Sequence, residues 1–206
     1  MTASAAATPT LTKTRARVVA DGNADATSLL YGRLAKHAAG HGNDHALACM
    51  IASLCNGAGA LPDWLGLEPP AFACLLRHHF PGLDLGDQPK VGRPLAIRRD
   101  DERAELVDLM LLDKAGGCPS EVWMAHILAA GCMASDHLWQ DLGLWHRAEL
   151  TALMRRNFPP LAARNVKDMK WKKFLYKQLC ESEGIYLCRA PSCEVCVDYA
   201  VCFGPE

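Results

Sequence analysis

The stretch "CRAPSCEVCVDYAVCFG", residues 188–204, gathers Cys188, Cys193, Cys196 and Cys202 with the spacing C-x4-C-x2-C-x5-C. Thiols at this density serve disulfides, a structural zinc or an iron–sulfur cluster. The N-terminal "MTASAAATPTLTKTRARVVADG" has no apolar core of a secretory signal, so a reducing, cytoplasmic setting is expected and disulfides are disfavoured. The two-residue gap lets Cys193 and Cys196 turn back on one centre, and the gaps of four and five swing the outer pair around it. Zinc sites usually join two knuckles through a longer connection with structure of its own. A single compact run better suits a cluster several ångströms across. The residues therefore favour an iron–sulfur cluster of the three- or four-iron type, with a four-cysteine zinc site as the alternative.

Something must position such a loop. Half of the 206 residues are apolar and 22% are charged, the composition of a globular protein with a real core. No apolar run is long enough for a membrane span, and a net charge of −1 gives no global field for nucleic acid. The charge is nevertheless uneven. Between residues 155 and 177 eight basic residues (Arg155, Arg156, Arg164, Lys167, Lys170, Lys172, Lys173, Lys177) face one acid, Asp168. A positive face suited to an acidic partner is expected there, as is the blander alternative of a solvated helix with Trp171, Phe174 and Leu175 inward.

An internal repeat organises the rest. Shifted by 77, residues 28–67 fall on 105–144 with eleven of forty positions identical, among them Cys55/Cys132, Leu65/Leu142, Gly66/Gly143 and Leu67/Leu144. After a one-residue slip, "LLRHHFPGL" continues onto "LMRRNFPPL". Each copy reads as three helices: 27–38, 44–55 and 69–79, then 100–115, 120–132 and 146–157. Asn43 and the run Cys118–Pro119–Ser120 supply cap chemistry, and a Phe-Pro pair ends each third helix. A last helix, about 166–181, opens after Asn165. The expected architecture is all-α, two tandem three-helix repeats followed by a helix and a C-terminal four-cysteine cluster-binding loop. Residues 1–26 form a disordered tail and 27–206 one helical domain. Its copies span 27–83 and 100–161, with the Pro/Gly-rich 81–94 between them and the cluster-binding region at 165–206.

Two resemblances bear on the tail. Helical DNA-repair glycosylases related to endonuclease III end in a similar loop with a longer first gap, C-x6-C-x2-C-x5-C. The chain shows neither their glycine-rich hairpin nor their charge. From "LWQDLGLWHRAELTALMRRNFPPLAARN" through "DMKWKKFLYKQLC" to "CRAPSCEVCVDYAVCFGPE", residues 138–206, the chain resembles the NifQ family of nitrogen-fixation proteins. That resemblance implies a carrier of an iron–sulfur cluster that incorporates molybdenum, held by Cys188, Cys193, Cys196 and Cys202. It implies donation of molybdenum to the iron–molybdenum cofactor of nitrogenase, with the cofactor scaffold complex and the nitrogenase iron protein as partners. The residues themselves show no nucleophile–base pair and no phosphate loop, so no catalysis in the ordinary sense is expected, and neither nucleic acid nor membrane as a partner. An electron-transfer protein, or a helical interaction protein with a structural zinc, are the competing classes.

Other residues have weaker claims. His45 and Cys49 lie one helical turn apart and could coordinate an ion, but one pair alone does not make a site. Cys180 reads as a structural thiol, Cys55 and Cys132 as matched core residues, and His78–His79 as cations at a helix's negative end.

Overall fold

The computed structural model describes residues 11–95 and 99–182, with side chains from residue 24 to residue 181. The four clustered cysteines and their loop lie outside the described residues. Within them the regular structure is helical: α1 (Leu11–Lys36), α2 (Asp44–Cys55), α3 (Pro69–His79), α4 (Asp100–Leu112), α5 (Ser120–Cys132), α6 (Leu138–Asp141), α7 (Arg147–Asn157), α8 (Pro159–Arg164) and α9 (Trp171–Ser182). No helix among these residues is long and apolar enough to cross a membrane. The expected helices are present, with shifted ends. The first begins earlier, at Leu11, and α8 restarts at once after Phe158 because proline is welcome in a helix's first turn.

Burial follows pattern. Ala46–Leu54 of α2 are all buried, and α5 buries nearly its whole circumference, as helices enclosed by others must. The outer helices bury stripes: Phe72 and Leu75 of α3, Leu106, Val107 and Met110 of α4, Leu150, Leu153 and Met154 of α7. Cys132 lies in this core, where burial pushes its thiol up to about 12.

Several positions 77 residues apart make matching contacts. Asp44 Oδ2 accepts the backbone N–H groups of Gly40 and His41, each at 2.8 Å, tying the loop before α2. Glu121 does the same before α5, accepting from Gly116, Gly117 and Cys118 at 2.7–3.0 Å. At Gly66, where φ is +78°, a Cβ would stand 2.7 Å from Ala130 Cβ. At Gly143, where φ is +72°, it would stand 2.6 Å from Ser53 Cβ. Only glycine meets both the left-handed backbone and the close approach.

Asn43 precedes α2 without capping it. Its side chain turns inward: Nδ2 donates to Ser120 Oγ (2.8 Å) and Asn157 Oδ1 (2.7 Å), and Asn157 Nδ2 returns a bond to Asn43 Oδ1 (3.0 Å). All three residues are buried, so the halves meet on a closed polar network.

His79 also departs from expectation. It is no solvated cation at a helix end but a fully buried ring donating Nδ1–H to Asp44 Oδ1 at 2.6 Å, with no protein partner for Nε2. Burial holds its pKa below the ordinary histidine value, Asp44 opposing, with His78 and His41 nearby adding a smaller downward push. The unfolded chain thus takes up a proton near pH ~6.5 that the native ring refuses. The native state keeps its full stability above that pH and loses it as pH falls toward the depressed native value. His126, lowered mainly by burial, acts in the same sense. Thermal midpoints measured from pH 7.5 to 5.5 should therefore decline, and His79→Gln should decline less steeply. An unchanged slope in the variant would refute the assignment.

Candidate metal centre

The helix preceding the cysteine run is fixed to the core on three sides. Trp171 Nε1 donates to Thr151 Oγ1 of α7 (3.1 Å). Tyr176 bonds Glu102 of α4, and Arg99 Nη2 donates to Tyr176 Oη at 2.9 Å. Lys172 Nζ spends its three donors on Ala134 O (2.9 Å), Asp136 O (2.8 Å) and Asp141 Oδ2 (2.6 Å). Trp171, Phe174 and Leu175 are buried, as helical spacing predicts.

The positive face needs correction. Lys172 is buried against Asp141 and belongs to no docking surface. Arg164 is tied to Asp113 (2.6 Å) and to Gln178, and Lys177 lies 3.6 Å from Glu181. Arg155 and Arg156 stand exposed at the end of α7. The helix expected from residue 166 begins at Trp171 instead. Asn165 closes a turn onto Met169, accepting its N–H (2.9 Å) and donating to its carbonyl (3.0 Å), while Asp168 takes a left-handed φ of +48°.

A second group of donor atoms converges elsewhere. His45 Nε2 lies 3.0 Å from Glu149 Oε1 and 3.8 Å from Cys49 Sγ, and the three atoms all fall within 4.8 Å of one another. Asp44 and its loop fix the start of α2, so one helical turn aligns His45 with Cys49. Glu149 comes from α7, where its other oxygen, Oε2, accepts N–H groups of Trp145 (2.8 Å) and His146 (2.9 Å) and so orients the carboxylate. Tyr31 Oη of α1 lies 2.9 Å from His45 Nδ1, and its ring packs on Trp145. Burial opposes ionisation of Glu149, but the His146 and Trp145 amides and His45 outweigh it and hold the carboxyl below its usual range. Burial, with Glu149 beside it, pushes the Cys49 thiol up to about 12. The sequence suggests only the pair. Glu149 stands 104 residues from His45, and its one local signal is its place in the first turn of α7.

Among the described residues no other thiol joins two such donors. Cys55 and Cys180 are half-buried, and Cys118 Sγ lies 3.6 Å from His78 Nε2, whose ring stacks on His41.

Helices alone among the described residues, two enclosed and the others around them, with ten cysteines in the chain, define an all-α, cysteine-rich protein. The NifQ family model matches residues 46–204, which takes in Cys49, Glu149 and all four clustered cysteines and begins one residue after His45. The NifQ protein of Azotobacter vinelandii is 46% identical over 167 residues, 76% of this chain and 86% of that one. That of Rhodobacter capsulatus is 38% identical over 151 residues, 73% and 81% of the two chains. That of Klebsiella pneumoniae is 37% identical over 158 residues, 71% and 90%. No solved structure matches the chain. The chain belongs to the NifQ family, and that membership supports a role in nitrogen fixation and in biosynthesis of its iron–molybdenum cofactor.

Proposed function

We propose that the protein is a cytoplasmic carrier and not an enzyme, with molybdenum as its cargo, which it donates for assembly of the iron–molybdenum cofactor. The observation that carries this reading is the run Cys188, Cys193, Cys196 and Cys202, lying whole within the family match. The donor set fits: four soft thiolates in one compact run suit an iron–sulfur cluster. Such a cluster supplies sulfide through which molybdenum is retained. The chain's own part is to furnish the four thiolates and to present them after α9, whose buried Trp171, Lys172 and Tyr176 hold the preceding segment to the core. The partners are the cofactor scaffold complex, which receives the molybdenum, and the nitrogenase iron protein, approached through charge complementarity to exposed cations such as Arg155 and Arg156.

The test combines colour and transfer. Anaerobically purified protein should carry several irons per chain with a broad thiolate-to-iron absorption, and Cys193→Ala should bleach it while the helical circular dichroism survives. Loaded with labelled molybdenum and mixed with scaffold and iron protein, it should pass the label on despite excess unlabelled molybdate. One zinc and no iron would refute the cluster. Retention of the label with rapid electron exchange would replace donation by electron transfer.

A further inference from the structure

Three donor atoms of different chemistry converge between α2 and α7, away from the cysteine tail in sequence: an imidazole nitrogen, a thiol sulfur and a carboxylate oxygen. Around a tetrahedral ion with nitrogen and oxygen at ~2.0–2.1 Å and sulfur at ~2.3 Å, such atoms stand roughly 3.3–3.6 Å apart. The observed 3.0 Å (His45–Glu149) and 3.8 Å (His45–Cys49) bracket that spacing, and all three atoms lie within 4.8 Å of one another, so the side chains need only close inward to seat an ion. The accessibility is graded. Cys49 is fully buried, the Glu149 side chain is 15% exposed and that of His45 is 54% exposed, which leaves the outer side of the triangle facing water. Three protein ligands and one open position distinguish zinc sites that take up water or substrate from the closed, four-ligand structural ones.

We propose that His45 Nε2, Cys49 Sγ and Glu149 Oε1 bind one divalent transition-metal ion of the zinc or iron(II) class, with its fourth position open to solvent. The mixed sulfur, nitrogen and oxygen set selects a borderline ion over magnesium or calcium, which take oxygen ligands. The hydrogen bonds rearrange in a defined way. Without metal, His45 Nε2–H donates to Glu149 and Nδ1 accepts from Tyr31. With metal, the Nε2 lone pair is the ligand, the ring proton sits on Nδ1 and Tyr31 Oη accepts it. Cys49 gives up its thiol proton to solvent, so one proton is released per ion bound and affinity falls as pH falls. Tyr31 is thereby a positioning residue, orienting the imidazole as an outer partner of a ligating histidine does.

The test uses the full chain with Cys188, Cys193, Cys196 and Cys202 all replaced by serine, so that its outcome is independent of the cluster proposed above. Cobalt(II) serves as the spectroscopic probe and zinc as the competitor. One equivalent of cobalt should give a sulfur-to-cobalt charge-transfer band with the intense visible absorption of a tetrahedral ion, displaced by zinc. Cys49→Ser should abolish the charge-transfer band. Glu149→Gln should weaken binding, and Tyr31→Phe should weaken it ~10–100-fold while the band is kept. Cys118→Ser, which alters the other histidine–thiol contact, should change nothing. Zinc should raise the unfolding midpoint of the parent and leave that of Cys49→Ser unmoved. A band surviving Cys49→Ser, or no tetrahedral cobalt spectrum in the folded parent, would overturn the assignment.

Discussion

Replacing Lys172 by Met should destabilise the native protein by about 3–5 kcal/mol, because it strands a buried carboxylate. Lys172 and Asp141 are both almost wholly enclosed, and the ammonium satisfies two backbone carbonyls besides the carboxylate. Burial raises the Asp141 pKa, and the lysine opposes that rise without cancelling it. For a chain of this size the loss corresponds to roughly 6–20 °C in thermal midpoint. Lys172→Glu should be worse, since two acids would then share the site. The double variant Lys172→Met, Asp141→Leu should recover part of the loss, because no charge is left unpaired. Recovery should stay incomplete, as the carbonyls of Ala134 and Asp136 still lose their donor. Thermal or urea unfolding of the three variants decides it. A Lys172→Met protein as stable as the parent would show that the pair contributes nothing.

Asn43→Ala should cost about 2–4 kcal/mol, from ~1–3 kcal/mol for each buried polar group left without a partner. The amide is bonded to both Ser120 and Asn157, so its removal opens the network that joins the halves. Asn157→Ala should cost a similar amount, and the double variant should cost less than the two combined, by ~0.5–3 kcal/mol, since the residues act as a unit. Strict additivity in urea titrations would mean the two amides are not coupled.

These two sites also mark where sequence reasoning runs short. The helices are legible from apolar spacing and from the Phe-Pro pairs, because periodicity and proline sterics are local. Asn43 is not, because an asparagine before a helix has two options and the choice is made by Asn157, 114 residues away. Lys172 sits in the run "KWKKF", where composition cannot tell a cation on the solvent face from one aimed at Asp141, 31 residues back. Asn165 has the chemistry of a cap, whereas its side chain closes a turn before α9 begins. The candidate metal centre is half legible. His45 and Cys49 share a helical register, whereas Glu149, 104 residues away, meets them only in the folded chain, through its contact with His45. The four clustered cysteines read as a donor set from spacing and type, and they lie outside the described residues.

The two glycine contacts exchange under the shift of 77 positions. Gly66 of the first half presses on Ala130 of the second, and Gly143 of the second presses on Ser53 of the first. Residues 53 and 130 are themselves 77 apart, so each half offers the other the same knob and the same hollow. That reciprocity is the geometry of an isologous handshake, the kind two identical subunits make across a dyad, here contained in one chain. A single requirement for absent side-chain volume is therefore imposed twice on one polypeptide. Drift at either hollow strains the same seam, and the sound copy cannot shield the damaged one.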